Sequence, residues 1–83
     1  RHVIGSWFDG AIGMRITIVS QNGNIYGEES FSDGSSNKME LTERSSSLGR
    51  RFDKGGGFGD HWIVTAGGSL QLRDSQGLIT TLR

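Results

Sequence analysis

The sequence predicts an all-β fold: an antiparallel meander of about eight short strands, closing into a small barrel or flattened sandwich. Three observations predict it. Apolar and polar residues alternate with period two, as in Met14-Arg15-Ile16-Thr17-Ile18 and Leu70-Gln71-Leu72-Arg73, which puts one strand face in a core and the other in water. Glycine-bearing polar clusters separate the runs, as in Gln21-Asn22-Gly23-Asn24, Gly67-Gly68-Ser69 and Asp74-Ser75-Gln76-Gly77. Fourteen glycines with no proline, in a chain that keeps its apolar alternation, read as many tight turns rather than disorder.

The elements follow in order. Val3 to Phe8 reads as a first strand, ended by Asp9-Gly10, a dipeptide suited to a two-residue hairpin turn. Met14 to Ser20 is the clearest strand. Asn22-Gly23 is the strongest hairpin signal in the chain and pairs it with Ile25 to Phe31. Asp33 to Asn37 forms the next turn, and residues 38 to 44 are too few for a stable helix, so Met39 and Leu41 are assigned to a strand. Leu48, Arg50 and Phe52 alternate with Gly49, Arg51 and Asp53, which puts a cationic side chain on each strand face and requires one arginine at an edge or paired. After the glycine-rich stretch Lys54 to Asp60 come strands at His61 to Ala66, Ser69 to Arg73 and Gly77 to Leu82. The expected interior is Met14, Ile16, Ile18, Ile25, Met39, Leu41, Trp62, Val64, Leu70 and Leu72. The expected outer apolar positions, Val19, Ile63 and Ile79, are candidates for an oligomer interface.

Length and composition bound the function. Residues 1–83 are expected to form a single β domain with little core to spare. Without cysteine there is neither a disulfide nor a thiolate metal site. Nine basic and nine acidic side chains cancel, so nucleic acid or an anionic membrane would need a local patch. No apolar run approaches the roughly 18–20 residues of a membrane span, and the chain reads as soluble. A start at Arg1 fits a processed, exported chain with its signal removed, a trimmed chain, or one domain of something longer; the compartment stays open.

The chemistry-bearing motifs mostly fail on geometry. Asp60-His61 and Glu28-Glu29 are neighbours on strands and point to opposite faces, so neither makes a catalytic pair, and His61 is expected at the surface. Two histidines are too few for a histidine metal site. Lys54 to Asp60 lacks the Gly-Lys-Ser/Thr that a phosphate loop needs, and reads instead as a loop that meets a partner through Phe58. Arg50, Arg51 and Lys54 form the main basic cluster. Beside Phe52 and Phe58 they would suit weak, salt-sensitive stacking on single-stranded nucleic acid.

Gly5-Ser6-Trp7 at the start of the first strand, followed by an up-and-down meander, resembles the Gly-x-Trp signature that opens lipocalin-type barrels. The resemblance implies a small non-enzymatic barrel for a ligand or a protein, in which Trp7 closes one end beneath an arginine, a part open to Arg73 or Arg83. The chain is about half an ordinary lipocalin's length.

The expectation is therefore a non-catalytic binding or protein-interaction module, acting on a protein partner or on a second copy of itself. No catalytic set, metal site or cofactor is expected. The candidate binding residues are Arg50, Arg51, Lys54, Phe58, Tyr26, Trp7 and Trp62. The alternatives are a small lipocalin-like barrel for an apolar ligand and a weak single-stranded nucleic-acid-binding barrel.

Overall fold

The structure is a computed structural model that describes residues 1–56 and 59–83. Phe58 lies outside the described residues. Eight strands, each antiparallel to its neighbour, follow one another as a meander: β1 (His2–Asp9), β2 (Met14–Gln21), β3 (Asn24–Phe31), β4 (Ser36–Arg44), β5 (Arg50–Asp53), β6 (His61–Val64), β7 (Leu70–Asp74) and β8 (Gly77–Leu82). Among the described residues there is no helix, and hence none long and apolar enough to cross a membrane. The chain divides into two compact units, Arg1–Glu40 and Leu41–Arg83.

In the first unit the turn chemistry sets the register. Asn22 (φ 53°) and Gly23 (φ 81°) take the two left-handed positions of a tight hairpin and align Gln21 with Asn24, as their residue types require. The β1–β2 connection differs from the expected two-residue turn. It runs through residues 10–13, with the left-handed position at Gly13 (φ 64°) rather than Gly10, because the Asp9 carboxylate accepts the Ala11 N–H at 3.0 Å and starts a wider turn. Paired residues share a face, so Trp7, Ile16 and Glu29 lie on one side while Ser6, Thr17 and Glu28 lie on the other. Trp7, Met14, Ile16 and Ile18 are buried on the first side.

A bulge between Val3 and Gly5 reverses that alternation at the start of β1, pairing Val3 with Val19 and Gly5 with Ile18. Val19 keeps the face opposite Ile18 but is covered there, so it is not an exposed apolar position. It lies between Val3 and Tyr26 in register, fully buried, with the Lys38 ammonium 4.6 Å above the Tyr26 ring. Two adjacent residues of β2, Ile18 and Val19, are thus buried on opposite faces.

In the second unit, Leu41, Phe52, Trp62, Leu70 and Leu82 are buried, with Phe52 paired to Trp62 and Leu70 to Leu82. Ile25, Met39, Val64 and Leu72, expected inside, are half-buried. Ile63 is buried on the other face of β6, flanked in register by Arg51 and Gln71, whose aliphatic stems suit that role. Ile79 is the outer apolar position that stays exposed: a bulge opposite Leu72 and Arg73 leaves it as the extra residue of β8. β5 begins at Arg50, two residues later than the alternation implies, because Gly49 adopts φ 142° and leaves Leu48 exposed in the turn.

Candidate functional site

Three exposed apolar side chains of the first unit sit at the end where β1, its turn and β3 stop. Phe8 is 49% exposed, Ile12 in the turn 59%, and Phe31 36%. Phe8, Arg15 and Ser30 form one register row across β1, β2 and β3, on the face opposite Trp7, whereas Phe31 is in register with Met14 and Asp9 on the Trp7 face. Gly13 brings the turn against Ser32, whose Cβ would lie 2.9 Å from a side chain at that position. Phe8, Gly13, Arg15, Ser30, Phe31 and Ser32 line a groove of about 230 Å3. The Arg15 guanidinium lies 5.4 Å from the centre of the Phe8 ring and donates to Ser6 Oγ at 3.2 Å.

A second recess of the same unit, of about 390 Å3, is polar, running from Thr17 and Glu28 to Asn37 and Lys38. Its central carboxylate is occupied. Arg1 donates to both oxygens of Glu28 at 2.6 and 2.7 Å, with Lys38 4.0 Å away, and these contacts hold Glu28 below the usual carboxylate range and raise Arg1.

The candidate residues of the second unit are satisfied from within. Arg50 and Arg51 point to opposite faces. Arg50 stacks on Phe52 at 5.3 Å and donates to both oxygens of Glu43 at 2.8 and 3.0 Å, which lowers Glu43 and raises Arg50. Arg51 donates to one oxygen of Asp53 at 2.6 Å while Arg44 holds the other at 2.9 Å. Lys54 and Trp62 do come together, the ammonium 5.7 Å from the ring centre, but Trp62 is buried. The stretch after β5 is closed by Lys54 N–H donating to the Asp60 carbonyl at 3.1 Å. Its described residues Gly55, Gly56, Gly59 and Asp60 line a recess of about 250 Å3 with Thr42, Arg44 and Asp53.

Comparison with protein-family models, with curated proteins and with solved structures finds no match. The site is therefore read from its own geometry.

The other candidates from the sequence lie apart. Trp7 is buried on one face of the first unit, with its indole packed over Gly5, while Tyr26 is half-buried on the opposite face beneath Lys38. His61 is a correction to the expected surface histidine. It is 8% exposed, and its Nδ1 lies 2.7 Å from the Gly59 carbonyl, which accepts, so Nδ1 carries the proton. Among the described residues no three His, Asp or Glu side chains gather as a metal would require.

Sequence reasoning missed the rim of Phe8, Ile12, Arg15 and Phe31. The signal was present: on the period-two rule Phe8 falls on the face opposite Trp7, and Ile12 lies inside a turn, where an apolar side chain has little to pack against.

Proposed function

We propose that this chain is a non-catalytic protein-interaction module, and that its contact surface is the end of the first unit that exposes Phe8, Ile12 and Phe31, with Arg15 beside Phe8. One observation carries the reading: three bulky apolar side chains stay in water at one end of the first unit. Scattered apolar exposure is ordinary, whereas clustered aromatic and aliphatic exposure beside an arginine has the composition of an interface centre. The groove, at about 230 Å3, is below the roughly 300–1,000 Å3 of small-molecule pockets and suits a side chain of a partner. Arg50 and Arg51, the basis of the nucleic-acid alternative, are each engaged with a carboxylate, which favours the protein reading.

The test is selection of a random peptide library on the immobilised chain. Recovered peptides should bind the parent and lose binding to Phe8→Ala and to Ile12→Ser, with both variants retaining the parent's far-ultraviolet circular dichroism. Recovered peptides that bind both variants as well as the parent would place the contact elsewhere. Light scattering separates a foreign partner from a second copy, because self-association on this rim gives a concentration-dependent mass that Phe8→Ala removes.

A second reading, a lipocalin-like barrel for an apolar ligand, is favoured by one feature. Gly5 and Trp7 of the Gly-x-Trp segment pack directly on each other. A change in tryptophan emission on adding an apolar fluorescent probe supports that reading; unchanged emission removes it.

A further inference from the structure

We infer that the partner binds as an added strand: an extended segment of a partner protein pairs its backbone with the open edge of β1 at Ser6 and Phe8. The inference rests on the proposed interaction role and adds the form the partner takes.

The observation behind it is the phase of the hydrogen bonds in the first unit. The two-residue turn makes Gln21 and Asn24 a hydrogen-bonded pair, and bonding alternates from there along the antiparallel ladder. Val19, Thr17 and Arg15 of β2 therefore bond to β3, while Ser20, Ile18, Ile16 and Met14 bond to β1. Their partners in β1 are His2, Gly5, Trp7 and Asp9. Ser6 and Phe8 are left with their N–H and C=O directed away from β2. Among the described residues β1 has β2 as its one hydrogen-bonded neighbour, and both Ser6 and Phe8 are exposed.

Edge strands are ordinarily guarded against pairing by charge, proline, a bulge or short length. Between His2 and Asp9, β1 carries no charged residue and no proline, and its bulge lies at the far end, between Val3 and Gly5, so Gly5 to Asp9 runs regular. β8, the last strand of the second unit, is guarded: its extra residue at Ile79 interrupts the ladder and leaves Thr80 to Leu82 as the regular part. An extended backbone presents a donor and an acceptor at every second residue, the repeat that the β1 edge leaves unpaired. The partner residue opposite Phe8 shares its face, where an aromatic or β-branched side chain packs best beside the exposed ring. β1 runs on into the turn that carries Ile12, so the added strand is continuous with the apolar end of the unit.

The experiment takes the peptides recovered by the library selection and methylates their backbone amides one position at a time, which removes one donor per copy. Fluorescence anisotropy on the parent should show losses of at least about tenfold at alternate positions, with tolerance at the positions between. On the chain, Ser6→Pro removes an outward N–H and spares the β1–β2 ladder, a place where edge strands accept proline; it should lose binding while Ser6→Ala keeps it. Amide hydrogen exchange reads the same edge in the unaltered chain: the peptide should slow Ser6 and Phe8 and leave Gly5 and Trp7 as they were. Methylated copies that all bind like the unmodified peptide, or Ser6 and Phe8 amides that exchange at their free rate in the complex, overturn strand addition; if Phe8→Ala still abolishes binding, the proposed role stands without it. Binding that Phe8→Ala leaves unchanged overturns both. Protection of Ser6 and Phe8 in the peptide-free chain that grows with its concentration assigns the edge to a second copy and overturns the foreign partner.

Discussion

Replacing Gly5 with alanine tests the packing that organises the first unit. Gly5 takes an ordinary strand conformation, so backbone strain is not the obstacle, and alanine gains about 0.5 kcal/mol by restricting the unfolded chain. The obstacle is Trp7. A Cβ at position 5 would sit 2.6 Å from Trp7 Cζ2 and 3.1 Å from Cζ3, inside the roughly 3.5–4.0 Å of ordinary carbon contact. The ring is buried, so relief requires the indole to leave its site. Overpacking of this kind costs about 1–3 kcal/mol. The net expectation is a loss of about 0.5–2.5 kcal/mol, read as a lower urea midpoint by circular dichroism at constant slope. A slope near 1 kcal/mol per molar, usual for a domain this small, makes the shift about 0.5–2.5 M. In a Trp7→Leu background the ring is gone, and Gly5→Ala should then be neutral or stabilising, a coupling a double-mutant cycle isolates. An unchanged or raised midpoint for the single variant would refute the reasoning.

Two further outcomes are expected. In the second unit, Gly49→Ala should cost more than about 2 kcal/mol, because φ 142° is open only to glycine and the new Cβ would press on the Val64 carbonyl group, whereas Gly55→Ala meets open space and should cost about half of that or less; urea midpoints of the two variants decide it. Acidification should weaken the fold. Glu28 and Glu43 are lowered in the folded state by Arg1 and Arg50, so their contribution is complete above the usual glutamate range and is lost as pH falls through the lower folded values. Urea midpoints should therefore hold level from neutral pH down to about 5 and fall below about 4, and Glu28→Gln should flatten part of that slope. Stability that rises on acidification would contradict the sign.

The strand order was legible because it is written locally. Period-two alternation locates Met14 to Ser20, and Asn22-Gly23 pairs it with β3 through a turn whose two left-handed residues are the chemical signal itself. What the sequence hides is the bulge. One extra residue near Ile4, beside Gly5, turns Val3 over to Val19, and one at Ile79, with no glycine or proline next to it, leaves that side chain outside the ladder. Burial on both faces of β2 and β6 is likewise non-local: Val19 depends on Tyr26 across the hairpin, and Ile63 on Arg51 and Gln71 beside it. The basic cluster was visible as Arg50-Arg51, but its neutralisation by Glu43 and Asp53 depends on which strands become neighbours. The rim escaped for the converse reason. Phe8, Ile12 and Phe31 belong to three separate elements, which only the strand register brings to one end of the first unit.

Amide chemical-shift mapping of the chain, titrated with a peptide from the library selection, tests most directly whether the end that exposes Phe8, Ile12 and Phe31 is the contact surface. The largest shifts are expected at Phe8, Ile12, Arg15, Ser30 and Phe31, together with the Arg15 side-chain Nε–H. Shifts confined to the stretch from Lys54 to Asp60, or spread evenly with no focus on the rim, would contradict it.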